Sequence, residues 1–302
     1  MLSAASEQYR DIGAPKLFIF FFYLYIIMNI LITGISGFFG RNFVNYLLDR
    51  NPECTIIGTS HNRSNPTPHV KSYTVDLASE AFETDIETII QNHKINYVIH
   101  SAAIKYIDVC QKDPIMALRV NTIASHILVK VAKRNNVKNL IALGTERSNN
   151  LSSVYSISKY IMQENVLLNN YSVYQGENFF WSDGSVLDIW FNQYCNKESL
   201  SVANPNQRMC FNTIDQVCES IFMNIDNNGI IILPENIYIV KLGDLLNAFL
   251  DFFKYDNFTS IAANHDNYIL PDTFTGLSKD DIQSFIKKYY DIKINLLSNN
   301  IQ

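Results

Sequence analysis

The chain has 302 residues, 47% of them hydrophobic and only 18% charged, which is enough apolar material for a large core and excludes an intrinsically disordered protein. Twenty-four Lys and Arg against 29 Asp and Glu give a net charge of −5 with no basic block, so nucleic acid is not an expected partner. The five cysteines, Cys54, Cys110, Cys195, Cys210 and Cys218, are odd in number and contain no CxxC pair; they predict thiols in the reducing cytoplasm, with no disulfide frame and no metal site.

Leu17 to Ile27 is an unbroken apolar run, shorter than the roughly 18–20 residues a membrane span needs. Residues 1–27 are expected to be an extension upstream of the functional start at Met28. The competing readings are a short anchor, which alone would bring membrane contact, and an added packing element.

Asn29–Thr33 reads as a strand buried on both faces, followed by Gly34-Ile35-Ser36-Gly37-Phe38-Phe39-Gly40 and then by Phe43, Val44 and Leu47 at helical spacing. Strand, glycine turn and helix together predict a dinucleotide loop. Gly34 allows the tight turn, Gly37 the approach of a pyrophosphate, and Gly40 the close packing of helix on strand; Ser36, Phe38 and Phe39 belong to the same loop. The next strand, Thr55–Thr59, runs into Ser60-His61-Asn62-Arg63. An NAD-selective site usually has an acid there; Ser60, His61 and Arg63 suit a 2′-phosphate instead, so NADP is expected, with NAD the alternative. Val70–Val75 predicts a third strand that brings Asp76 and Leu77 to the adenine edge. Asn96–His100 predicts a fourth, ending in the small Ser101-Ala102-Ala103 where backbone passes the cofactor. His100 reads as a packed strand-end residue.

A helix over about 113–135 leads to strand Asn139–Leu143 and to Gly144-Thr145-Glu146-Arg147. Tyr155 and Lys159 follow on one helix face, four residues apart. The ammonium is expected to lower the pKa of the phenol and make it an acid–base group near neutral pH. Strands alternating with helices over 28–176 predict an α/β fold, a Rossmann-type doubly wound parallel sheet, with 177–302 a smaller α/β region capping the cleft. In that region Gly229–Leu233 reads as a strand, Leu242–Phe253 and Lys279–Tyr289 as helices, and the aromatic residues around Trp190 and Tyr289 as core.

The glycine loop with the YxxxK pair resembles the extended short-chain dehydrogenase/reductases. His100-Ser101-Ala102-Ala103-Ile104-Lys105 is similar to the HAAAxK of the UDP-N-acetylglucosamine 4,6-dehydratases and the related capsular polysaccharide dehydratase/epimerases. Asp113-Pro114 through Val120-Asn121-Thr122 resembles their NPxxAxxTN, Thr145-Glu146-Arg147 their Thr-Asp-Lys, and Asn178 to Val186 their NVxGSRGSV. The resemblance implies a nucleotide-sugar substrate, transient oxidation at C4, a role in polysaccharide or glycan synthesis and a homo-oligomer. Tyr155 would exchange the O4 proton, Lys159 would hold the phenolate and the nicotinamide ribose, and Thr145 would bond O4. Glu146 would be the acid of the elimination, Asn121 would lie with the cofactor residues, and Lys105 and Asn178 would touch substrate.

The chain departs from the pattern in several places, beginning with Glu146, which stands for an aspartate and can still be an acid. Arg147 stands in place of a lysine and cannot abstract a C5 proton. Asp183 stands in place of an arginine and is expected to repel a diphosphate. Arg208-Met209-Cys210-Phe211 and His265-Asp266-Asn267 keep little of two later motifs. A 4-keto-sugar reductase, or a non-catalytic NADP-binding regulator, is therefore the alternative to a dehydratase/epimerase.

Overall fold

The computed structural model describes residues 28–61, 70–260 and 275–298. The readings of residues 1–27, Asn62, Arg63 and His265-Asp266-Asn267 lie outside these. Seven parallel strands form the main sheet, in the order β10-β6-β5-β4-β1-β2-β3. They are β1 (Asn29–Thr33), β2 (Thr55–Ser60), β3 (Lys71–Thr74), β4 (Tyr97–His100), β5 (Asn139–Leu143), β6 (Ser172–Tyr174) and β10 (Ile231–Ile232). Helix α1 (Phe38–Arg50) joins β1 to β2, α2 (Phe82–Asn92) joins β3 to β4, and α5 (Val154–Leu168) precedes β6. Between β4 and β5 come α3 (Ile107–Lys112) and the long α4 (Pro114–Arg134).

The strand sequences dictate this layering. Within β1, Ile30 and Ile32 enter one core cluster with Phe43, Val44 and Leu47 of α1, while Leu31 enters the other with Ile86, Leu128, Val129 and Met162. Successive side chains point to opposite faces, so an all-apolar strand needs helices on both sides. The chain runs outward from β1 in both directions, to β2 and β3 on one side and to β4, β5 and β6 on the other. The crevice beyond the carboxyl ends of β1 and β4 is the switch point where such sheets hold ligands.

The predicted division near residue 176 is crossed twice. After β7 (Asn178–Phe179), α6 (Val186–Cys195), β8 (Leu200–Val202) and β9 (Arg208–Asn212), helix α7 (Ile214–Met223) packs Val217 and Ile221 into the α1 cluster. Strand β10, expected in the substrate region, then pairs with β6 and completes the main sheet. A second sheet, β13-β11-β9-β7, adds β11 (Tyr238–Lys241) and β13 (Thr275–Gly276), while β12 (Phe258–Ser260) pairs with β8. Helix α8 (Leu242–Phe253) has the predicted bounds, and α9 (Lys279–Ser298) runs past the predicted Tyr289. This lobe is held by aromatic packing: the Trp190 and Phe249 rings are 5.8 Å apart edge to face, as are Phe180 and Phe211 at 5.5 Å.

Candidate active site

The turn after β1 is tight because Gly34 sits at φ 72°, where a side chain is strained. A Cβ there would lie 2.9 Å from the backbone nitrogen of Ala102, so the loops after β1 and β4 abut in the switch-point crevice. A Cβ at Gly40 would meet Gly34 O and Ile35 Cα at 2.6 Å, which is the close helix–strand approach expected of the third glycine. Gly37 caps α1 without a side-chain bond and is exposed, leaving the first-turn amides uncovered by any capping side chain. A cradle that a methyl group would fill, facing a bare helix N-terminus, fits a pyrophosphate. Ser36 is partly exposed in the same loop. Phe38 and Phe39, predicted with the cofactor residues, turn their rings into the core, so only their backbone can face a ligand.

Ser60 ends β2 and is 7% exposed, with its carbonyl accepting from Val75 N at 2.9 Å. His61 and Asp76 lie 3.9 Å apart, both exposed, and Asp76 Oδ1 accepts from Ala78 N at 2.9 Å. Leu77 packs, half-buried, against the core cluster of α2 and α4. Ser101 Oγ donates to Thr33 O at 2.7 Å and Ala102 N donates to Thr33 Oγ1 at 3.3 Å, which binds the β4 loop to β1. His100 is buried between Thr33 Oγ1 at 2.7 Å and Ser125 Oγ at 2.8 Å. Burial first, and then the charge of Lys159, pushes its pKa down to about 3, so the ring is neutral.

Tyr155 stands on α5, whose N-terminus is fixed by a Ser153–Ser156 capping box. Its phenol faces the side chain of Thr145, which favours the ionised form and belongs to the residue that caps the single turn Glu146–Asn149 after β5. Tyr155 and Thr145, ten residues apart in sequence, thus meet at the carboxyl end of the sheet. Lys159 is 6% exposed and gives its ammonium to Leu143 O. Loss of water lowers its pKa from 10.5 to about 8.

One expectation is overturned. The Tyr155 pKa is raised above its ordinary 10, because burial outweighs the lowering by the Thr145 hydrogen bond and by the positive charge of Arg147. The cation that favours the phenolate here is Arg147, two residues from Thr145, while Lys159 is turned to a backbone carbonyl. Glu146 Oε1 accepts from Asn149 Nδ2 at 2.6 Å along the same turn.

Asn121 also has a task other than the predicted one. It is 1% exposed, on a π turn (Arg119–Ile123) inside α4 that periodicity did not reveal. Its Oδ1 accepts from Ile104 N at 2.8 Å, and its Nδ2 donates to Ile104 O at 2.9 Å and to Ser158 Oγ at 3.1 Å. Ser158 Oγ in turn donates to Tyr155 O at 2.7 Å. Asn121 therefore locks the loop after β4 to the Tyr155 helix and has no amide atom left unbonded.

On the substrate side, Asp183 does not present a bare negative charge. Its carboxylate accepts from Arg41 Nη2 at 3.0 Å, while Arg41 Nη1 donates to Ser36 O. Lys105 donates to the Asp183 carbonyl. The expected repulsion of a diphosphate by Asp183 is thus offset by Arg41, a residue the sequence reading passed over. Asn178 Nδ2 donates to Cys210 O at 2.9 Å and so ties β7 to β9. Gln163 and Ser158, also unremarked in the sequence, lie on α5 beneath Tyr155; Gln163 follows Lys159 by the same four-residue step that links Lys159 to Tyr155. Among the described residues no group of three or more His, Cys, Asp or Glu side chains could hold a metal ion.

Residues 30–267 match a family model described as "Polysaccharide biosynthesis protein". The UDP-glucose 4-epimerase of Rickettsia felis is 23% identical over 215 residues, covering 64% of this chain. The chain spans 62% of that epimerase's own length. Two solved structures share the fold. A Thermotoga maritima UDP-glucose 4-epimerase with UDP-glucose has a TM-score of 0.74 at 17% identity, covering 88% of this chain and 99% of that one. A Bacillus anthracis dTDP-glucose 4,6-dehydratase in complex with NAD has a TM-score of 0.72 at 15% identity, covering 87% and 97%.

Proposed function

The chain belongs to the polysaccharide biosynthesis protein family, among the nucleotide-sugar epimerases and dehydratases of the extended short-chain dehydrogenase/reductases, and from that membership we propose that it oxidises C4 of a UDP-N-acetylhexosamine-type sugar transiently and then reduces it on the other face. The observation that carries this reading is the meeting of Thr145 and Tyr155 at the carboxyl end of the sheet, with the Arg147 charge acting on the phenol and the glycine turn abutting the loop after β4.

Each residue has a defined part. Tyr155 removes the proton from the C4 hydroxyl and later returns it. Thr145 holds O4 by its hydroxyl, and Arg147 supplies a fixed positive charge for the phenolate. Lys159, still protonated at neutral pH, orients the nicotinamide ribose. Arg41 and Lys105 receive the diphosphate. A nicotinamide dinucleotide held by the glycine loop and Lys159 would supply a reversible hydride acceptor for C4, which leaves the sugar with no net change in oxidation state.

The preference for epimerisation over 4,6-dehydration rests on Arg147. A guanidinium stays protonated and cannot take the C5 proton that elimination requires. Gly34, Gly37 and Gly40 form the cradle for the dinucleotide, and Ser60 and His61 at the end of β2, where the strand itself ends in no acid, favour NADP over NAD, against the Asp76 carboxylate that stands 3.9 Å from His61. The exposed Ile115, Met116 and Ile123 on α4 and Ile157, Tyr160 and Ile161 on α5 form one apolar face that a second copy of the chain would cover.

The test uses the full chain with NADP or NAD and UDP-N-acetylglucosamine, followed by proton NMR of the sugar. The expected result is a mixture of C4 epimers without a 4-keto-6-deoxy product, lost in Tyr155→Phe. A 4-keto-6-deoxy product would replace the epimerase assignment with dehydration, and full activity in Tyr155→Phe would remove the mechanism.

A further inference from the structure

Gln163 lies one helical turn beyond Lys159 and two beyond Tyr155, so the three side chains share the face of α5 turned toward β5. It is 5% exposed. Its Oε1 accepts from Thr145 N at 2.8 Å and its Nε2 donates to Ser148 Oγ at 2.9 Å. The orientation of the amide follows from its partners. A backbone N–H can only donate, so the oxygen must face Thr145. Ser148 gives its own hydroxyl proton to Thr145 O at 2.6 Å and must receive from Gln163. One amide therefore grips both ends of the turn that carries Thr145, Glu146 and Arg147. The space for it exists because residue 144 is glycine, since a Cβ there would stand 2.3 Å from Gln163 Oε1. The turn is tied on its far side by Glu146 N donating to Gly176 O at 3.1 Å, and by Gln175 Nε2 donating to Asn149 Oδ1 at 3.2 Å.

We propose that Gln163 is a positioning residue for the C4 chemistry: it fixes where the Thr145 hydroxyl stands against Tyr155 by clamping the turn from Thr145 to Ser148. The inference rests on the reading of Tyr155 and Thr145 as the reacting pair. Side chains on one rigid helix then set both halves of that pair, Tyr155 directly and Thr145 through the amide. A leucine at 163 fills the volume and removes both bonds, leaving Thr145 N without its acceptor. A glutamate keeps the acceptor and loses the donor toward Ser148, so it should impair less than leucine.

The experiment measures kcat, KM and the pH profile of sugar epimerisation in the full chain carrying Gln163→Leu, Gln163→Glu, Thr145→Val, or Thr145→Val with Gln163→Leu, with dinucleotide binding and Tm checked in each. Displacement of a positioned group predicts a kcat loss between about tenfold and a hundredfold in Gln163→Leu, with KM within about twofold. The pH at which activity rises should shift upward as in Thr145→Val, because the Thr145 hydroxyl that favours the phenolate is displaced from it. On the Thr145→Val background the leucine should add less than about twofold, since two residues acting through one contact are not additive. Wild-type kcat and pH profile in Gln163→Leu, or losses that multiply in the double variant, would overturn the proposal. Should Gln163→Leu not fold, Gln163→Glu and Ser148→Ala decide the matter: each must lower kcat, and wild-type rates in both overturn it. Impairment of Tyr155→Phe and Thr145→Val with Gln163→Leu unaffected would defeat this inference alone, whereas full activity in all three would defeat the proposed function.

Discussion

Tyr155 and Lys159 are two ionisable groups whose environments push them in opposite directions. Burial raises the phenol and lowers the ammonium, to about 8 for Lys159, because both neutral forms are favoured away from water. Removing Arg147 as Arg147→Met should raise the phenol further, so the pH at which kcat/KM climbs moves upward; a profile superimposable on the wild type would show that its charge does not reach the reacting oxygen. Lys159 carries a stability cost in the ligand-free fold. A pKa of 10.5 in the unfolded chain against about 8 in the fold corresponds to about 3 kcal/mol held against the ligand-free protein below pH 8. Between pH 8 and 10.5 the unfolded chain binds a proton that the folded one does not, so stability should rise with pH across that window. Lys159→Met should therefore raise Tm at pH 7 while abolishing turnover, and should flatten the rise above pH 8; chemical denaturation at several pH values measures both.

Helix α5 and the glycine loop show how one element serves two ends. On α5 the inward face carries Tyr155, Lys159 and Gln163, and the outward face leaves Ile157, Tyr160 and Ile161 exposed. The π turn in α4 adds one residue to a helical turn and thereby brings Asn121 under Ser158 without disturbing the helix on either side. In the glycine loop the constraint is steric. Gly40→Ala would force α1 away from Gly34 O and Ile35, atoms of the backbone that cannot rotate aside. The expected outcome is a destabilisation of about 1–3 kcal/mol, with dinucleotide affinity lowered as the N-terminal amides of α1 are displaced. Thermal melting and fluorescence titration with NADPH follow the two effects, and unchanged affinity would show that the helix end does not hold the phosphates.

At the scale of the whole molecule, the two lobes are stitched together by chain crossing and by charge. Strand β10 returns to the main sheet, α7 packs on α1, and Arg41 reaches Asp183 across the cleft mouth. The face formed by α4 and α5 is continuous because Thr122 Oγ1 donates to Ser158 O at 3.0 Å and His126 pairs with Asn165 at 3.0 Å. Exposed Arg119 and Lys130 on α4 and Glu164 on α5 border it, so a two-fold copy would set opposite charges against each other around an apolar centre. Light scattering should report a dimer, and Ile123→Glu with Ile157→Glu should yield a folded monomer; a monomeric wild-type chain would refute the surface assignment.

Five strands of the main sheet, the glycine loop and the Tyr155–Lys159 helix were legible in the sequence, because each depends on local rules: apolar runs need two covering layers, φ 72° needs Gly34, and a four-residue step puts two side chains on one face. The short β6 was not, and β10 was legible as a strand but not as part of this sheet. The family resemblance, and not a local rule, put Thr145 with Tyr155 in one expected site, and both follow the carboxyl end of β5. Tertiary structure alone decided which partner each polar group takes. Asn121 became a clamp, Asp183 was paired by Arg41 from 142 residues away, and Lys159 turned to Leu143 O while Arg147 took the place beside the phenol. Hydrogen bonds and ion pairs act over a few ångströms whatever the separation along the chain, and only the folded backbone fixes those distances.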